Sequence, residues 1–460
     1  MTEQGAGEQY FARYAEPEAR LAEGVTEARF AAGVTEPYAA CLVVPACGEA
    51  ASLLDGFQAA LQGATGRVLF LLVVNATDVA SVQTHDANQR LLAALAARFR
   101  ERMVLRVTGV ETRGVLARAE HYDMLWLDRA SVGVRFPERE GVGLARKVGG
   151  DLAAALWARG HIACPRVASS DADVTLPSDY FSTLTGPERE PSAAWLWPFH
   201  HEAGDDADID LATVLYEISL RYYVLGLTAA RSSYAYQSIG STICVDAAAY
   251  LAVRGVPKRA AAEDFYLLDK LAKVAPLRRV TASPVRIRAR RSDRVPFGTG
   301  RRSREIAEER AAGGEFQMYA PGVFTALGGV LAGLDAVAAS ADVGALNAAL
   351  EARMSEHAGA ARLVLERLGV FVALSSAVAQ APAGPVLRRR LHTWFDGLRT
   401  LRFIHGMRDA CLPSVPWRHA LSTAEFLDQP FREGEEPAAV CAVLARLEAA
   451  LPARVGPALI

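Results

Sequence analysis

Apolar and polar residues follow two rhythms along this chain of 460 residues. From Tyr38 onward, short runs without polar alternation, "CLVVPA" and "RVLFLLVV", are each followed by amphipathic stretches, "SLLDGFQAAL" and "NQRLLAALAARFRER". A run with no polar face predicts a strand covered on both sides, and its alternation with helices predicts a parallel sheet between helical layers. "MVLRVTGV" and "DMLWLDRA" continue the strands, "GVGLARKVGGDLAAALWARG" predicts a long helix, and "GHIACPRVASS" predicts a strand running into "DADVTLPSDYF". Beyond about residue 315 nearly every stretch reads as helix, and residues 1–36, charged and alanine-rich, predict a helical or loosely held extension. The expected organisation is an extension (1–36), an α/β domain (37–312) and an all-helical C-terminal domain (313–460).

Composition narrows the classes of function. A formal net charge of −2 provides no global field for nucleic acid or an anionic membrane. The six cysteines are scattered without a CxxC pair, so neither a zinc site nor a disulfide framework is expected, and reduced thiols in a cytosol fit. The N-terminal residues lack a basic segment leading into an apolar one. No stretch reaches ~18 uninterrupted apolar residues, "FTALGGVLAGLDAVAAS" being broken by Asp335. A cytoplasmic protein with no integral membrane segment is expected, with the helical C-terminal region as a candidate surface for homo-oligomerisation.

Five features carry candidate chemistry, each beside a plainer reading. Asp171 and Asp173 flank one alanine at a predicted strand end; such a pair can hold Mg2+ or Mn2+ or cap the next helix. Glu263 and Asp264 open a predicted helix, where they complement its dipole or, for Asp264, accept a proton from a hydroxyl. Gly240 and Ser241 allow close approach of a ligand or bend the chain into a buried strand. Arg294, with Arg290 and Arg291, precedes Gly298-Thr299-Gly300, a glycine turn feeding a helix, which reads as an anion site or as a solvated basic loop. Arg146 and Lys147 lie in the first turns of a helix, where cations oppose the dipole and call for a compensating anion. His200, beside His201, is a candidate further metal ligand.

Taken in order, "VVPACGEA", "VVNATD", "GLARK", "DADVTLPSDYF", "GSTICV" and "EDFYLLDKL" resemble the glycosyltransferase family 2-like superfamily and its GT-A fold, over about residues 38–300. Val43-Val44-Pro45 and Glu49 match the family's first element with Gly48 in place of Asn, and Ala145-Arg146-Lys147, Asp171/Asp173 and Glu263-Asp264 match later ones. Asn75 stands where the second strand usually ends in an acid. The resemblance implies a nucleotide-diphosphate sugar as donor and Mg2+ or Mn2+ held mainly by Asp173, with Asp171 toward the ribose or a metal water. It implies that Pro45, Glu49 and Asp78 line the nucleotide pocket, that Arg146 and Lys147 reach the nucleotide or diphosphate, and that Asp264 is the base of an inverting transfer. The helix with Arg146 and the "SDRVPFGTGRR" loop also resemble enzymes that make glucosyl-3-phosphoglycerate, which retain configuration and take a small anionic acceptor. The acceptor is thus a saccharide or a small anion, and a non-catalytic nucleotide-sugar-binding protein is the other reading. A sugar nucleotidyltransferase would need a basic glycine-rich loop after the first strand, which "VVPACGEAAS" lacks.

Overall fold

The computed structural model describes residues 3–187, 190–291, 298–429, 431–432 and 434–457. It is mixed α/β, and it divides into two units, residues 1–203 with 238–301 and residues 204–237 with 302–460. The division differs from a single cut at 313, because the segment 204–237 groups with the C-terminal helices.

The strands of the first unit are β1 (Ala40–Ala46), β2 (Val68–Asn75), β3 (Arg102–Leu105), β4 (Arg113–Arg118), β5 (Tyr122–Arg129), β6 (Arg166–Ser169), β7 (Val174–Thr175), β8 (Ala194–Leu196), β9 (Phe199–Glu202), β10 (Ile243–Asp246), β11 (Leu277–Arg279) and β12 (Val285–Arg288). The helices through both units begin with α1 (Glu3–Arg13), α2 (Leu21–Ala31), α3 (Asp55–Gln62), α4 (Val82–Arg98), α5 (Val142–Ala158), α6 (Tyr180–Thr185), α7 (Ala207–Ala229), α8 (Ala247–Ala252), α9 (Glu263–Val274), α10 (Thr299–Ala311), α11 (Gly322–Ser340) and α12 (Gly344–Met354).

Within the first unit the sheet order is β11-β8-β10-β6-β1-β2-β5-β4-β3. The central strands β6, β1, β2 and β5 are parallel, as their unalternating sequences predict. Antiparallel strands flank them: β10 runs against β6 and β8, and β4 against β5 and β3. The chain leaves β1 toward β2 on one side while β6 lies on the other, so the topological switch point falls between β1 and β6. In open α/β sheets the crevice beyond the carboxyl ends of strands at that point is where ligands bind.

Every residue of β1 and β2 is buried, and all of α5 but Val142, Trp157 and Ala158 is buried, one face against the sheet and another against the N-terminal segment around Tyr10 and Glu16. Each large apolar side chain removed from water there contributes about 1.5–3 kcal/mol. Gly149 permits the close approach, since a Cβ at that position would collide with Val43 Cγ1. The N-terminal extension belongs to this core. Leu21, Ala22, Val25 and Ala28 form one apolar stripe of α2 and pack with Leu105 and Leu127. A small second sheet, β7-β12-β9, stands apart from the main one.

The second unit is mostly helical rather than all-helical, since Gln317–Met318 pairs antiparallel with Val415–Pro416 in a two-stranded sheet. Its α11 is long and apolar enough to cross a membrane, and 61% of its most apolar window is buried inside the protein. Gly333 of α11 lets Leu346 of α12 approach so closely that a Cβ would collide with Leu346 Cδ1.

Candidate active site

The ends of the parallel strands and the starts of the elements after them bring most of the sequence candidates to one edge of the first unit. Asp171 and Asp173 follow β6, and Glu49 follows β1. Because β10 is antiparallel to β6, its beginning lies at the same edge: Ile243 pairs with Ser169, which places Gly240 and Ser241 beside the β6 terminus.

Arg146 is the hub of this edge. It lies in the second turn of α5 and is only 7% exposed. Its Nε donates to Glu263 Oε1 at 2.9 Å, and its Nη1 donates to Ser169 Oγ at 2.7 Å and to the Gly240 carbonyl at 3.2 Å. Its Nη2 pairs with Asp171 Oδ1. Burial works against the guanidinium charge, but Asp171, Glu263 and Asp264 outweigh it and raise the pKa. The anion that a cation near a helix start requires is therefore present twice over. Gly240 serves this hub: a Cβ there would lie 2.9 Å from Arg146 Cζ, so the space expected to admit a ligand is taken by the guanidinium. Ser241 is buried, and its carbonyl accepts the Ser170 hydroxyl at 3.1 Å.

Glu263 and Asp264 form the first turn of α9, entered through Ala262 in a left-handed conformation (φ 59°). That backbone costs a non-glycine residue about 1–2 kcal/mol, the kind of local strain found where a side chain must be aimed. Burial and the neighbouring charge of Glu263 push the Asp264 carboxyl up from 3.8 to about 7, with Asp171 adding to the rise. The Phe265 N–H, which donates to Asp264 Oδ1 at 2.7 Å, and Arg146 only partly oppose the shift. A carboxylate that titrates near neutrality is matched to general base work. A pocket beside it has a polar wall of Arg146, Ser169, Gly240, Glu263 and Asp264, and an apolar wall that includes Val43, Val167, Val245, Leu267 and Tyr250.

Asp173 lies in a second cluster. Arg290 Nη2 is 2.7 Å from Asp173 Oδ2 and 2.9 Å from Glu49 Oε1. The small sheet makes this meeting possible, because Asp173 immediately precedes β7 and Arg290 closely follows β12, the strand paired with it.

Other candidates are placed elsewhere. Lys147 does not line the pocket; it is 4% exposed and bonds Asp151 Oδ2 at 3.0 Å and the Tyr10 hydroxyl at 2.9 Å. Asp151, fully buried, also accepts from Tyr10 at 2.5 Å, Tyr250 at 2.7 Å and the Glu16 N–H at 2.7 Å. His200 lies on β9 in register with Arg286. Among the described residues no group of three or more His, Cys, Asp or Glu side chains is arranged to hold a metal ion, so His200 is not gathered with Asp171 and Asp173 as a third ligand. Asp78 is exposed, and its N–H donates to the Phe136 carbonyl. Pro45 is buried within β1, beyond the last β1–β6 pair at Val43 and Ser169, where its missing N–H costs no bond to β6. Arg294 lies outside the described residues. Gly298 has φ 122°, and Thr299 and Gly300 open α10, so the glycine turn does feed a helix. Asn75 donates through Nδ2 to the carbonyls of Ala46 (3.1 Å) and Val73 (3.0 Å), tying β2 to the end of β1.

Sequence reasoning missed Asp151 as the partner of Lys147, although its i+4 spacing on a helix was a legible signal. It also missed that Arg290 would face Glu49 and Asp173, which no local pattern signals.

No protein-family model and no curated protein matches the chain. Among solved structures, a mannosyltransferase from Pyrobaculum calidifontis, in complex with GDP-Man and Mn2+, is similar at a TM-score of 0.33 and 14% identity, over 84% of this chain and 99% of that one. So loose a likeness assigns no residue a role.

Proposed function

We infer that this chain transfers a sugar from a nucleotide-diphosphate donor to an acceptor hydroxyl, inverting the anomeric configuration, with Asp264 as base. The supporting observation is the meeting of Asp171, Arg146, Gly240 and the Glu263-Asp264 pair at the sheet's switch point, with Asp264 titrating near 7. The acceptor oxygen attacks the anomeric carbon as its proton passes to the Asp264 carboxylate. The bond from that carbon to the diphosphate oxygen breaks, and its electron pair leaves with the nucleoside diphosphate. Glu263, buried and bonded to Arg146, holds the guanidinium and is not the base.

Glu49 and Asp173 offer hard carboxylate oxygens of the kind Mg2+ or Mn2+ takes, with waters and phosphate oxygens completing the shell. The Arg290 guanidinium stands between them, 2.9 Å from Glu49 and 2.7 Å from Asp173, and an ion would have to take its place. When bound, such an ion neutralises charge developing on the leaving diphosphate. Among the described residues that line the pocket beside Asp264, Arg146 is the one cation, and it is already engaged at each nitrogen by Glu263, Asp171, Ser169 and Gly240, which argues against a small anionic acceptor there.

The test is hydrolysis and transfer from a panel of UDP-, GDP- and dTDP-sugars, with Mg2+ or Mn2+ and with chelator. Asp264→Asn is expected to lower turnover by about 10²–10⁴-fold while donor affinity is kept. Unchanged turnover in that variant, or NMR showing retained anomeric configuration, overturns the base assignment. Donor binding without turnover in the wild type supports a binding protein instead.

A further inference from the structure

Residues 368–387 of the second unit carry no charged side chain. They hold α14 (Val370–Gln380), which packs between α13 (Ala358–Arg367) and α15 (Pro385–Trp394). Val370, Leu374 and Ala377 bury one face of α14, while Val372, Ser375, Ser376 and Ala379 leave the opposite face exposed. A helix at a protein surface ordinarily puts charged residues on that outer face. Here even its polar groups are satisfied locally. Ser375 Oγ donates to the Phe371 carbonyl at 3.0 Å, Gln380 Nε2 donates to Ser376 Oγ at 3.0 Å, and Arg390 donates to Gln380 Oε1. Val372 is 77% exposed, Val386 of α15 71% and Leu363 of α13 57%. Positive charge borders this face. Within residues 362–390 five arginines stand against the single Glu366. Arg362 pairs with Glu366 and Arg388 with Asp335, but among the described residues no ion pair holds Arg367, Arg389 or Arg390.

We propose that the uncharged face of α14, with Val386 and the bordering arginines, docks on an anionic lipid bilayer and lies in its interface. An apolar face edged by cations of one sign complements a surface whose interior is hydrocarbon and whose headgroups are negative. Ser375, Ser376 and Gln380 enter that boundary at low cost, because their hydrogen bonds are already made. The element lies on the bilayer and does not cross it. The 11 residues of α14 are about 16 Å long, roughly half of a hydrocarbon core. The helix is also bent 74° from α13, at a break where Gly369 takes a φ of 74°. The chain's net charge of −2 does not oppose the contact, since salt screens charges more than about 8 Å away and leaves the nearby arginines to act. This docking makes no use of the donor site, so it stands apart from the transfer reaction.

The experiment is flotation of the full chain with vesicles of phosphatidylcholine alone and of phosphatidylcholine with one third phosphatidylglycerol, at low and high salt. Light scattering without lipid accompanies it. The wild type is expected to partition onto the anionic vesicles at least about tenfold better than onto the neutral ones, and to lose most of that preference at high salt. Arg367→Gln combined with Arg389→Gln removes two exposed charges and should weaken anionic binding by on the order of tenfold. Val372→Asp puts a carboxylate at the centre of the face and should weaken binding to both vesicles at least about tenfold. Each substituted side chain is exposed, and circular dichroism checks that the variants fold. Absence of vesicle binding by the wild type, equal binding to both lipids, or unchanged binding in the folded variants overturns the proposal. So does a wild type that self-associates through this face, recognised by its conversion to a smaller species in Val372→Asp.

Discussion

Asp264 links the chemistry of the site to the stability of the protein, and one substitution exposes both. In the folded chain its carboxyl titrates near 7 instead of 3.8, because burial and Glu263 disfavour the charge. A tenfold change in proton affinity is about 1.4 kcal/mol, so the ionised side chain costs the fold about 4 kcal/mol above pH 7. With a raised folded-state pKa, this cost is absent below pH 3.8, where both states are protonated, and grows until the folded-state group has itself ionised. At pH 5 it amounts to about 2 kcal/mol. Asp264→Asn removes the charge while keeping an oxygen for the Phe265 N–H. The variant should therefore gain stability over the wild type by about 2–3 kcal/mol between pH 5 and pH 8.5, or on the order of 3–5 °C in Tm for a chain of this size. The assay is thermal unfolding of both proteins across that range, beside the pH profile of kcat/KM, whose acidic limb in the wild type should fall near pH 7. A stability difference that does not change with pH, or an acidic limb near pH 4, refutes the reasoning.

Three further substitutions separate the roles of neighbouring groups. Arg146→Gln leaves Asp171 and Glu263 without their shared cation, and should cost about 3–5 kcal/mol in unfolding experiments. In whatever activity remains, the acidic limb should move to higher pH, since Arg146 lowers the pKa of Asp264. Lys147→Met removes the cation bonded to the buried Asp151, so stability should fall by about 3–5 kcal/mol while nucleotide affinity, measured calorimetrically, stays within about twofold; a large loss of affinity would return Lys147 to the donor site. Asn75→Asp turns a donor that serves two carbonyls into an acceptor facing them. It should lower stability by about 1–3 kcal/mol by leaving those groups unsatisfied, and a rise in Tm would show that the amide is not a tie between strands.

Much of the architecture is legible from one dimension. Unalternating runs such as "RVLFLLVV" determine strands buried on both faces, and their spacing with amphipathic stretches determines a parallel centre to the sheet. The antiparallel β4 was not legible, because Arg113–Arg118 has neither a continuous apolar run nor a long alternation. The stretch 204–237 reads as helix in either unit, and only its packing decides that it joins the C-terminal helices. The sequence also determined which residue types would stand at the strand ends, since each motif is local: Glu49 after β1, Asp171 and Asp173 after β6, Glu263 and Asp264 at the start of α9.

Tertiary structure decided the partner of each. Arg146 and Lys147 are adjacent in sequence but about 100° apart around a helix, so one reaches Asp171 and Glu263 while the other turns toward Tyr10 and Asp151. Likewise, the pairing of β7 with β12 carries Arg290 to Asp173, across more than a hundred residues of chain. Charge pairing and desolvation depend on distances that periodicity does not encode. The sequence therefore named the carboxylates, and the fold determined that Asp171 is held by one guanidinium, that Asp173 shares another with Glu49, and that Asp264 titrates near neutrality.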